Sequence, residues 1–183
     1  MHPDPTTEQR PPKLVQVLDR ILTWIAVVGG GLTLTFMTGF SVWNVLVMRK
    51  ALNAPITGAE DLLILALVVI VALSIPLGAR TGAHIEIEVL ETHMSPRFAK
   101  WSKIAVKLLG VAVLGVMAWR LWHAGSTASK FGETTQQLLI SFEPFYYMLS
   151  TSVAIYGVVL ILDIWQMLRG QTVVPLKIAS EQS

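Results

Sequence analysis

Long apolar runs separated by short polar stretches set the plan of this chain. Residues 21–48, 62–79 and 144–162 carry no charged side chain, and residues 108–122 are interrupted only by Arg120. A helix rises about 1.5 Å per residue, so roughly 20 residues cross a hydrocarbon core ~30 Å thick. Each run reaches that length once its ends are included. Lipid offers no water to backbone amides, so a spanning segment must satisfy them within a helix or a closed barrel. Barrel strands alternate over about 10 residues, whereas these runs are longer and unbroken. The pattern predicts an all-α integral membrane protein with four transmembrane helices, over about 21–48, 62–79, 101–123 and 144–168. They lie in a membrane domain of roughly 17–170, between a disordered tail over about 1–16 and a short tail over about 171–183. The first run is far longer than a signal-peptide core and ends in Val-Met-Arg-Lys, so it is expected to be a retained anchor.

Polar residues at the ends of the runs refine this plan. Gly31, Thr35 and Gly39 recur every four residues, and Ser150, Ala154 and Gly157 form a second small-residue strip. Such strips let helices approach closely, either within this chain or against a partner. Thr57 followed by Glu60 has the spacing of a capping box, and Glu60 and Asp61 lie where a helix dipole favours carboxylates. Pro76 is expected to kink or end the second helix. Between the second and third helices, His84 to Glu91 alternates like a strand, yet Ile87, Leu90, Glu91 and Met94 also suit a helical face. No partner strand is available, so a short amphipathic interfacial segment is expected there. Ser95-Pro96 reads as a helix start. Lys100, Lys103 and Lys107 share a face suited to lipid headgroups, and Trp101, Trp119 and Trp122 suit interfacial belts. Residues 126–143 are expected to form a polar connection, and Asp163 to lie within reach of the far interface.

Composition narrows the chemistry. The chain has 183 residues, 53% hydrophobic and 14% charged, with a net charge of +2. The two tails and the middle connection carry ten Lys and Arg, against four (Arg49, Lys50, Arg120, Lys130) in the other two connections. The positive-inside rule places both termini in the cytoplasm. No basic block suggests nucleic acid. Cysteine is absent, which removes thiol chemistry. Haem between helices needs axial ligands at mid-depth, whereas His2, His84, His93 and His123 lie elsewhere. No cofactor, metal site or catalytic residue is expected, and the protein is not expected to be an enzyme. A carrier acting alone would place polar or charged groups at mid-membrane, so the greasy interiors point to a helper subunit.

An ordered set of residues carries a family resemblance across roughly residues 17–170. The stretch Asn53-Ala-Pro-Ile-Thr-Gly-Ala-Glu-Asp-Leu62 is followed by Pro76 and by Arg80-Thr-Gly-Ala-His-Ile-Glu-Ile-Glu-Val-Leu90. Trp119-Arg-Leu-Trp122, Gly132-Glu-Thr-Thr135 and Pro144 complete it. The set resembles the small four-helix membrane subunit of tripartite ATP-independent periplasmic (TRAP) transporters, the DctQ-like type. That resemblance implies a bacterial inner-membrane protein with two partners: a large polytopic membrane subunit holding the substrate and sodium sites, and a periplasmic substrate-binding protein. It implies uptake of a dicarboxylate or other organic acid by ion-gradient-driven symport, with this chain as a scaffold. Glu60 and Asp61 match the acidic pair that opens the family's second span. Arg80, His84 and Glu88 match its polar turn, and Arg120, Gly132, Glu133 and Thr134 its second periplasmic region. Arg49, Lys50, Glu60, Lys130 and Glu133 are candidate contacts for the binding protein. Two other readings are a stand-alone membrane anchor or redox/metal protein using Arg80–Glu91, and a homo-oligomeric small carrier.

Overall fold

A computed structural model describes residues 13–80 and 96–169. Four helices long and apolar enough to cross a membrane occupy Arg20–Ala51, Ala59–Gly78, Trp101–Phe131 and Glu143–Leu168, and no strand occurs among the described residues. Residues 1–12 of the first expected tail, the second expected tail at 171–183, the interfacial segment with His84 and Glu88, and Ser95 lie outside the described residues, whereas residues 13–16, expected in the first tail, are helical.

Helix α1 joins four segments, Lys13–Trp24, Ile25–Gly30, Gly31–Val42 and Trp43–Ala51. The second and fourth have the wider π winding, but Trp24, Gly30 and Val42 at the joints keep right-handed helical angles, so the helix is continuous. Helix α2 spans Ala59–Arg80, α3 Pro96–Phe131 and α4 Glu143–Leu168. Pro144 in the first turn of α4 costs no hydrogen bond, and Glu143 beside it suits the positive end of the dipole. Helix α3 continues to Phe131, so residues 126–131, expected in a connection, form its last turns. Pro76 likewise does not end α2, which runs through it to Arg80.

The helices stand side by side in the order α1, α2, α4, α3. Helix α4 is the most enclosed, burying Ser150, Ser152, Val153, Val159, Leu160, Asp163 and Gln166. Helix α3 packs chiefly on α4; Gly125 lies against Tyr147 and Gly110 against Leu160. On the other flank, Gly29 of α1 faces Leu73 of α2, and Leu22 of α1 meets Val159 of α4.

Aromatic residues mark two levels along this row. Trp24 and Trp43 on α1 are separated by about 28 Å of helix rise. Trp101 and Trp119 on α3, and Tyr146 and Trp165 on α4, are similarly spaced. All six tryptophans lie at these levels, and the five on α1 and α3 are more than half exposed. That spacing matches a hydrocarbon core with an aromatic belt at each face. Beyond Trp122, α3 projects about 13 Å further, past the belt.

Candidate partner-facing site at the connection end

Where α1 meets α2 and α3 meets α4, two connections interlock. Asn44, near the end of α1, accepts a hydrogen bond from Ile56 N at 3.0 Å. The chain then turns at Gly58, whose φ of +79° favours glycine. A Cβ at Gly58 would also overlap the Leu138 side chain. Helix α2 starts at Ala59, so Gly58, not Thr57, precedes the first helical residue, and Asp61 takes the third position. The expected Thr57–Glu60 capping box is replaced by another arrangement: Gly58, which has no side chain to cap with, precedes the helix and donates its N–H to Gln137, while Asp61 turns to the other connection.

The acidic pair that opens α2 divides. Glu60 is exposed, while Asp61 is buried at 6% exposure. Asp61 Oδ2 accepts hydrogen bonds from Gln137 N and Leu138 N, both 2.8 Å. Gln137 answers by accepting from Gly58 N through Oε1. Charge-assisted bonds to backbone amides are roughly twice as strong as neutral ones, so this clasp ties the start of α2 to the connection between α3 and α4.

The second connection is a folded hairpin. Thr134 and Ser141 bridge, Thr135 N donates to Ile140 O at 2.9 Å, and Phe142 N to Glu133 O at 3.2 Å. Thr135, itself buried, accepts from Ile140 N through its hydroxyl. Two positive-φ residues, Gly132 (63°) and Leu139 (53°), reverse the chain. Leu139 is left 70% exposed. Around this frame Arg49, Lys50, Glu60, Lys130, Gly132 and Glu133 are exposed, and Thr134 is half-buried. Arg120 lies lower, exposed between Trp119 and Trp122. Arg80 is the last residue of α2, at the opposite end.

Toward that opposite end, Lys107 Nζ meets Asp163 Oδ2 at 3.1 Å, with the side chains 14% and 5% exposed. Lys107 was expected on a headgroup face with Lys103, and Asp163 at the interface. Asp163, two residues from the belt residue Trp165, is within reach of that interface, but Lys107 turns from the headgroup face to meet it between α3 and α4, where the two opposite charges offset one another. Lys107 stands about 9 Å inside the belt residue Trp101. Further out, Arg169 stacks on the Trp165 ring at 3.7 Å.

The small-residue strips are placed differently from each other. Gly31, Thr35 and Gly39 are exposed, and no group among the described residues lies near a Cβ at Gly31 or Gly39. Ala154 is exposed as well, while Gly157 faces Leu114. The internal close approaches fall instead at Gly29, Gly110 and Gly125. Sequence reading missed Asn44, Gly58, Thr135, Gln137 and Leu138, whose roles depend on contacts across the fold. A polar Gln beside an apolar Leu-Leu-Ile run was the one available signal. Among the described residues no group of three or more His, Cys, Asp or Glu could hold a metal ion.

A family model described as "Tripartite ATP-independent periplasmic transporters, DctQ component" matches residues 37–170. A comparison with curated proteins finds no match. The matched span includes both connections, the Asp61 clasp and the Lys107–Asp163 pair.

Proposed function

The chain belongs to the DctQ component family of tripartite ATP-independent periplasmic transporters, and from that premise we propose that it is the fixed brace of such a transporter. It supports a large membrane subunit that moves an organic acid, delivered by a periplasmic binding protein and driven by an ion gradient, with sodium the expected ion. It carries out no chemistry of its own. The observation that carries this reading is the apolar surface at mid-depth. Val27, Leu32, Leu34 and Phe36 on α1, and Leu109, Val113 and Val116 on α3, point outward. A solute route would need polar groups there. The Lys107 and Asp163 charges nearest the interior face each other.

Both termini lie in the cytoplasm under this proposal, supported by the ten-to-four bias of basic residues. The connection end with the Asp61 clasp then faces the periplasm. Its exposed rim of Arg49, Lys50, Glu60, Lys130 and Glu133 is available to the binding protein. Rim charges steer encounter more than they add affinity.

Affinity purification of the tagged full-length chain from its native membranes tests the proposal. A much larger polytopic chain is expected to come with it. Liposomes holding this chain alone should accumulate no organic anion; accumulation would overturn the brace reading in favour of a self-sufficient carrier.

A further inference from the structure

Pro76 lies inside α2 and is buried. Proline has no N–H, so in a regular helix the carbonyl four residues earlier loses its donor. Here that carbonyl belongs to Ala72, which is 1% exposed. In a membrane no water reaches such a group, and an unsatisfied carbonyl is costly. Ser152 of α4 donates its hydroxyl hydrogen to Ala72 O.

Most of the other hydroxyls within these helices stay on their own helix; Ser150, which donates to Ala118 O on α3, is the exception besides Ser152. Inside helices, serine and threonine commonly bond back to the carbonyl of their own preceding turn. Thr33, Thr35, Ser74 and Thr151 do so, to Gly29, Gly31, Ile70 and Tyr147. Ser152 does not, and reaches across to the one carbonyl in α2 that Pro76 has left without a donor.

We propose that Pro76 and Ser152 form a matched lock, in which the proline frees an acceptor on α2 and the serine uses it to fix α2 to α4. Without the serine, the turn at Pro76 would be a weak point about which the last turn of α2 could swing. With it, the helix passes through the proline as a rigid member. Ser152 is a positioning residue in this scheme. The lock itself stands on geometry alone; its value to the transporter rests on the brace reading.

Amide hydrogen exchange at residues 77–80, on the full-length chain in nanodiscs, tests the lock. Hydroxyl hydrogen bonds between membrane helices are modest, so Ser152→Ala should speed exchange there by about three- to twentyfold. Adding Pro76→Ala restores an N–H to the Ala72 carbonyl and should bring exchange back to the wild-type rate or below. If Ser152→Ala yields no purifiable chain, recovery by Pro76→Ala supports the lock and failure to recover overturns it. An unchanged rate in Ser152→Ala, or an equal acceleration with and without Pro76, also overturns it. Co-purification of a larger chain with the wild type is a separate readout, so the brace reading can fail while the lock survives, and the reverse.

Discussion

Helix α1 and the three helices after it are attached in different ways. Among the described side chains of α1, Thr33 and Thr35 bond back to their own backbone, and Asn44 bonds to the connection that follows. None reaches α2, α3 or α4; Gly29 and Leu22 meet those helices only through apolar packing. The other three are cross-bonded. Ser150 donates to Ala118 O on α3 at 2.7 Å, Ser152 to Ala72 O on α2, Lys107 pairs with Asp163, and Asp61 holds the hairpin. Lipid supplies no hydrophobic drive between helices, so packing and hydrogen bonds decide which ones adhere. Among the described side chains, the contrast sets a cross-bonded plate, α2 to α4, against a long helix that meets it through apolar packing at Leu22 and Gly29.

The largest expected effect is on the plate. Lys107→Ala removes the ammonium that faces the buried Asp163 carboxylate and should cost up to about 3–5 kcal/mol, read as a lower melting temperature of the purified chain. The exchanged pair Lys107→Asp with Asp163→Lys should recover part of it. If Lys107→Ala melts like the wild type, the plate is not held by that pair. Next comes the clasp: Asp61→Asn weakens two charge-assisted bonds and should cost about 1.5–3 kcal/mol. Faster proteolysis within residues 132–142 would register the loss, and Gly58→Ala should act in the same direction through strain and overlap with Leu138.

Substitutions on α1 sharpen the comparison from the other side. A Cβ at Gly39 meets nothing among the described residues, so the effect of Gly39→Leu on the isolated chain should stay within about 0.5 kcal/mol. Recovery of a larger membrane subunit should nonetheless fall severalfold. A destabilised isolated chain would show that α1 is more firmly seated than its contacts suggest. The smallest change is expected from reversing Lys130 and Glu133. Stability should be unaffected, while association with the soluble binding protein at low salt should slow a few-fold and converge with wild type as salt rises. Equal rates at both ionic strengths would remove these two residues from the docking rim.

The parts legible in the sequence were those set by long, local patterns. Four apolar runs gave four helices, and Trp101, Trp119 and Trp122, expected in interfacial belts, lie at the two levels that Trp24 and Trp43 also mark. Pairing across the fold was not legible. Asp61 reads as a dipole partner on its own helix, and nothing local reveals that Gln137 and Leu138 supply its donors from a connection 76 residues later. Lys107 shares its helical face with Lys103, so local spacing points to headgroups; the countercharge lies on another helix. Pro76 suggests a helix end because Ser152, the residue that rescues the freed Ala72 carbonyl, lies 80 positions from Ala72. Small residues mislead in a similar manner. Gly31 and Gly39 make the more regular strip, but Gly29, with no periodic partner, is the one that meets α2.

Asp61 grips the hairpin at 137 and 138 through main-chain hydrogens, with the Thr135 hydroxyl beside them. The Gln137 side chain returns a bond to Gly58 N, and the Leu138 side chain packs at Gly58, so these positions are held by side chain as well as backbone. Leu139, exposed at the turn, takes no part in that anchoring. That residue can be exchanged while the mounting of the loop stays unaltered.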